Sequence, residues 1–155
     1  MPAVRVAAES PHQAAVAELL RQSDAHAQAL YPPESNHLVD VDALARPNVR
    51  FFVARLDGKA VGCGGLVLGK PGKAEIKRMF VSEAARGKGV ARALLAAIEE
   101  AARGAGIEKI RLETGIASHA ALALYRRFGY RERGPFGDYR PDPVSVFMQK
   151  RLPAS

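Results

Sequence analysis

Arg86-Gly87-Lys88-Gly89-Val90-Ala91 joins a strand to a helix, and the fold follows from that junction. Before it, Ala74 to Val81 has the alternation of a strand. After it, Val90, Leu94, Ile98 and Ala101, beside Leu95 and Ala102, make an apolar stripe that predicts a helix from Gly89 to Arg103. The first turn of a helix offers unpaired N–H groups and a partial positive charge, which suit phosphate oxygens. Glycine lets a backbone approach such oxygens with no Cβ in the way. Arg86, Lys88 and Arg92 add positive charge around the turn. A Gly-x-Gly in this place is either an anion site or simply a tight turn.

Upstream, Val4 to Ala7 reads as a first strand, and Ser10-Pro11-His12-Gln13 as a capping box opening a helix that runs to about Ala29. Tyr31-Pro32-Pro33 ends it, and a short second helix is expected over Val39 to Ala45. Phe51 to Leu56, Ala60 to Leu68 and Ala74 to Val81 form an antiparallel meander whose first turn is Asp57-Gly58. Gly62, Gly64 and Gly65 weaken the middle strand or mark a close approach of another element. Downstream, Gly104 and Gly106 end the helix, and Ile110 to Thr114 is a strand parallel to 74–81. Ser118 can cap a further helix whose inner face is Ala121, Leu124, Tyr125 and Phe128. Strands at Tyr130 to Arg133 and Val144 to Lys150 complete a single mixed α/β domain over residues 1–155.

Two other phosphate motifs fail. A dinucleotide fingerprint needs a third glycine where Arg92 stands, and it belongs to the first strand–helix unit of a parallel sheet. Gly64 through Lys70 has P-loop spacing, but Pro71 replaces the hydroxyl residue and cannot sit inside the helix that should follow.

The formal charge of +7 favours anionic partners, including a phosphorylated cofactor. With no Trp and 6% aromatic residues there is little sign of a base-stacking platform, so nucleic acid is not expected as a partner. No apolar run approaches the ~20 residues that span a bilayer, and no membrane partner is expected. Cys63 is the one cysteine, which excludes an intrachain disulfide and suits a reducing cytoplasm. His12, His26, His37 and His119 show no metal spacing, so no metal is expected.

With these elements in order, the chain resembles the GCN5-related N-acetyltransferases. That family's signature is Arg or Gln, two residues, Gly, one residue, then Gly or Ala; Arg86, Gly89 and Ala91 satisfy it. Ala121-x-x-x-Tyr125-x-x-x-Gly129-Tyr130 is similar to its late helix and following strand. Ser118 departs from the Asn often found there.

The resemblance implies a central mixed, mostly antiparallel sheet of six to seven strands flanked by about four helices. It implies acetyl-CoA as co-substrate and transfer of acetyl to a primary amine of a small molecule or protein by direct attack. It also implies a bulged strand whose amides, around Met79, Phe80 and Val81, pair with pantetheine and polarise the thioester carbonyl. The sheet would splay beside that strand, and the amides of Arg86, Gly87, Lys88, Gly89, Val90 and Ala91, with Arg92 nearby, would hold the pyrophosphate. Ser118 would lie near the cofactor, and Tyr125 would protonate the leaving thiolate.

An ammonium acceptor must lose a proton before it attacks. Glu75 is the first candidate base, with pairing to Lys73 or Lys77 as its structural alternative, and Glu113 is the second candidate. Cys63 has no base paired with it in sequence, which favours a small buried residue over a nucleophile. Acceptor specificity is expected in 31–37 and in 135–139, where Glu34 and Asp138 could receive a cationic amine and His37 could face the pocket. A homodimer belongs to the same expectation. The competing classes are a CoA-binding module without turnover and a basic polyanion binder.

Overall fold

Residues 3–33 and 40–153 are described by the computed structural model, so Glu34 and His37 lie outside the described residues. The chain order is β1 (Val4–Ala8), α1 (Ala14–Leu30), α2 (Val41–Leu44), β2 (Val49–Leu56), β3 (Lys59–Leu68), β4 (Lys73–Val81) and a 3-10 turn (Glu83–Ala85). It continues with α3 (Val90–Gly104), β5 (Lys109–Gly115), α4 (His119–Arg127), β6 (Arg131–Arg133) and β7 (Ser145–Arg151). The described strands make one seven-stranded sheet in the order β1-β2-β3-β4-β5-β7-β6. Its neighbours are antiparallel except β4 and β5. The meander and the parallel strand–helix–strand unit are therefore both present.

Helices cover both faces. Leu95, Ile98 and Ala102 of α3 and Leu122 and Tyr125 of α4 pack with Leu66, Ala74, Ile76, Ile110, Leu112 and Met148. Val16, Leu19 and Leu20 of α1 and Leu44 of α2 pack with Phe51, Val53 and Cys63 on the other face. The glycines of β3 mark close approach: a Cβ on Gly62 would lie 3.0 Å from Leu94 Cδ1, and one on Gly64 3.0 Å from Ile98 Cδ1. Asp57 and Gly58 both take positive φ, at 51° and 82°, in the tight hairpin expected of that pair.

Three local expectations change. The first helix begins at Ala14 with Gln13 as its N-cap and no side-chain cap. Gln13 Nε2 instead turns back to donate to Ser10 O at 2.8 Å and Glu9 Oε1 at 3.1 Å, which holds the chain extended past Ser10. The second helix is shorter than expected, because Asp40 accepts from the Ala43 amide at 2.9 Å and fixes the start at Val41. In α4 the buried pair is Leu122 and Tyr125, with Ala121, Leu124 and Phe128 only partly covered.

Candidate active site

Pairing between β4 and β5 runs only from Lys73↔Lys109 to Ile76↔Leu112. β4 continues to Val81 and β5 to Gly115, so beyond Ile76 the two separate and leave a slot. β4 also bulges there. Gly65 pairs with Lys77 and Cys63 with Phe80, so Arg78 and Met79 together face Gly64. Arg78 takes φ 57°, the left-handed region that non-glycine residues seldom adopt. Its side chain is 4% exposed; Nη1 donates to Asp24 Oδ1 of α1 at 2.8 Å and Nη2 to Leu20 O at 3.4 Å. The α1 carboxylate thus ties down the strained residue that makes the bulge. Of the expected bulge residues, Met79 and Val81 pack on the α3 side and Phe80 on the α1 side, so only their backbones can line the slot.

The glycine loop lies at the slot's far end. Gly87 and Gly89 have φ of 78° and 80°, and a Cβ on either would meet nothing within 4 Å. Arg86, Lys88 and Arg92 are exposed. Gly89 is the N-cap of α3; no side chain caps the helix and its first turn holds no acidic residue, so its amides are open to an anion. Two expected contacts are narrower than the sequence suggested. The Arg86 amide already donates to Glu83 O at 3.2 Å, and Val90 is buried in the core, leaving only its backbone available. Substitution of Gly89 by Val forces a β-branched residue toward left-handed geometry at a cost of about 1–2 kcal/mol. Gly89→Val is accordingly expected to lower unfolding free energy by about 1–2 kcal/mol, as measured by urea denaturation.

Glu75 and Glu113 share the sheet face opposite α3. Glu75 is about one-fifth exposed and pairs with Lys77 Nζ at 3.2 Å, the partner foreseen from sequence. Burial first, and then the Glu113 charge, raise its carboxyl above the ordinary range, against the pull of Lys77 and Arg111. Glu113 accepts a bond from Ser145 Oγ at 2.7 Å. Phe136 and Tyr139 of the 134–143 loop close over this face. Tyr139 reaches Glu75, and the Arg111 guanidinium lies 4.7 Å over the Phe136 ring.

Ser118 is the N-cap residue of α4, but its side chain makes no capping bond; its hydroxyl instead shares a 2.7 Å hydrogen bond with the Tyr31 hydroxyl. Tyr31 presses so closely on Gly115 that there is no room for a Cβ at that position. Tyr125 is buried against Tyr130, edge to face at 5.5 Å, and burial pushes its phenol up, so it stays protonated. The Cys63 thiol is buried and pushed up to about 12, which removes it as a nucleophile near neutral pH. Among the described residues no His, Cys, Asp and Glu cluster could hold a metal ion.

Arg78 and Asp24 were missed in sequence, and Tyr139 was expected only as part of the 135–139 segment and not against Glu75, because each acts through a long-range contact. A left-handed Arg has no composition or spacing to announce it.

Residues 14–130 match the model of the acetyltransferase (GNAT) family. The chain is 50% identical to the IAA acetyltransferase of Azospirillum brasilense, over 98% of this chain and all of that one. It is 42% identical to the Bacillus subtilis N-acetyltransferase YsnE, over 78% of this chain and 82% of that one. A solved structure from Klebsiella pneumoniae, assigned by name to the acyl-CoA N-acyltransferases, superposes with a TM-score of 0.82. That protein is 38% identical, over 96% of this chain and 97% of that one.

Proposed function

Because this chain belongs to the GNAT family of acetyltransferases, we propose that it moves an acetyl group from acetyl-CoA to a primary amine by direct attack in a ternary complex, with Glu75 as base. The observation that supports this most is the slot. β4 loses its neighbour after Ile76, next to a half-buried carboxylate, and leads into an uncapped helix N-terminus. Pyrophosphate fits that end, where both glycines leave the Cβ space open and the cations are exposed.

Acetyl-CoA supplies an activated thioester; the chain's own groups do the rest. Backbone groups of Met79, Phe80 and Val81, on the side that β5 leaves, would hold the pantetheine arm as an added strand and donate to the carbonyl oxygen as charge develops there. Glu75, with a raised proton affinity, is suited to take the proton of an ammonium acceptor. Glu113 would orient that acceptor from β5. Ser118, held by Tyr31, would sit at the acyl end of the slot.

Tyr125 would deliver a proton to the departing sulfur. A thiol pKa of roughly 8.5 lets the thiolate leave with limited help. Tyr125→Phe is therefore expected to lower kcat by about tenfold, the low end for an acid catalyst, with CoA affinity unchanged. Steady-state kinetics beside a binding titration separates the two, and an unaltered kcat removes the acid role.

The acceptor is a small-molecule or peptide amine. A screen of thiol release from acetyl-CoA, across amines, amino acids, aminoglycosides and peptides, should find turnover with at least one amine class. Stabilisation by CoA with no thiol released from any amine would overturn the proposal. A homodimer in the cytoplasm is part of the same proposal. The buried free thiol of Cys63 supports the compartment, and sedimentation would test the dimer. No helix of the described residues is long and apolar enough to cross a membrane.

A further inference from the structure

Tyr139 belongs to the loop between β6 and β7, and its phenol stands between two charged groups on the outer face of β4. Its Oη donates to Glu75 Oε2 at 2.5 Å and accepts from Lys77 Nζ. The ring does not depend on those bonds for its place. It packs edge to face on Phe136 at 5.2 Å and on Phe147 at 5.4 Å, and those two rings meet each other at 5.8 Å. Phe136 is 6% exposed, so this aromatic cluster anchors the loop to β7.

We propose that Tyr139 is a positioning residue for the base: its hydroxyl fixes Glu75 Oε2, leaves Oε1 to meet the acceptor amine, and makes the proton affinity of Glu75 depend on the acceptor loop. The inference rests on the reading of Glu75 as base. A hydrogen bond donated to a carboxylate favours its charged form. The other groups that bear on Glu75 are Lys77 on its own strand and Arg111 and Glu113 from β5, with Arg133 of β6 acting on Arg111. The α1 carboxylate of Asp24 is engaged by Arg78. Lys77 and Arg111 already favour ionisation and burial still raises the pKa, so Tyr139 works against a surplus cost of charge. Without that bond Glu75 would bind its proton more tightly.

Tyr139→Phe keeps the ring and removes the oxygen. Carbon-13 NMR of carboxyl-labelled glutamate, with the Glu75 signal assigned through Glu75→Gln, reads the titration of this group directly in the free protein. Glu75 is expected to titrate at higher pH in Tyr139→Phe than in the parent. The acidic limb of kcat should move in the same direction, with kcat down about tenfold near neutral pH and the KM for acetyl-CoA unchanged. Superimposable titration curves in the two proteins would overturn the positioning role. If Glu75→Gln keeps the parent's kcat and pH profile, the base assignment fails instead. Loss of activity in Glu75→Gln with no shift in Tyr139→Phe removes only Tyr139.

Discussion

Glu75→Gln is expected to lower kcat by about 10²–10⁴-fold near neutral pH, the range that a positioned general base contributes, and to gain stability relative to the parent as pH rises. The loss follows because the amide cannot take the acceptor's proton. The gain follows from linkage. Burial raises the Glu75 pKa above its unfolded value, so the folded protein binds this proton more tightly than the unfolded chain does. The stability contributed by the group is present below the unfolded pKa and is lost as pH climbs through the raised folded value. At neutral pH the ionised carboxylate costs stability that Gln does not. Melting curves from about pH 4 to about pH 7 should show the variant gaining on the parent. An unchanged pH–rate profile would pass the base role to Glu113 or to a water, and a constant melting difference would show that Glu75 is not strained by its charge. A site that is active at the expense of stability is what a buried base requires.

Glu99→Ala is expected to lower unfolding free energy by about 3 kcal/mol, the lower end for breaking a buried ion pair, without touching the chemistry. Glu99 is 3% exposed; its Oε2 accepts from Tyr130 Oη and its Oε1 from Lys150 Nζ, both at 2.8 Å. Arg103 stands 3.6 Å away. Truncation leaves a buried phenol and an ammonium unpaired, and Lys150, nearly a fifth exposed, recovers some hydration. For a domain whose total stability is about 5–15 kcal/mol, that is a large share. Urea denaturation at equal acetyl-CoA affinity would show it. A loss below about 1 kcal/mol, the worth of a surface pair, would mean that the lysine finds water freely.

Glu99 also shows what the sequence could not disclose. It follows Ile98 in α3, and nothing near it in the sequence announces the Lys150 that β7 brings against it. Tyr139 lies 64 residues from Glu75, and Asp24 54 residues from Arg78. No periodicity links such pairs, because their contacts arise from sheet order and not from neighbouring positions. The shift of the first helix start has a more local cause. Ser10 and Gln13 do interact, but through Gln13 Nε2 and the Ser10 carbonyl, an alternative that has the same residue spacing as a capping box.

The sequence by itself determined the strand order of the meander, the parallel unit that follows it, and the glycine turn between them. Those features depend on alternation, helical spacing and backbone freedom, each carried by a few adjacent residues. It also determined the donor, since Arg86, Gly89, Ala91 and Tyr125 fall at the family's spacing. Tertiary structure decided how the site is held. Pairing of β4 with β5 stops at Ile76, Arg78 takes left-handed geometry in the bulge with its side chain tied to Asp24, and Tyr139 reaches Glu75 across the sheet. A carboxylate becomes a base through burial and its charged neighbours, and both are set only when distant parts of the chain close over it.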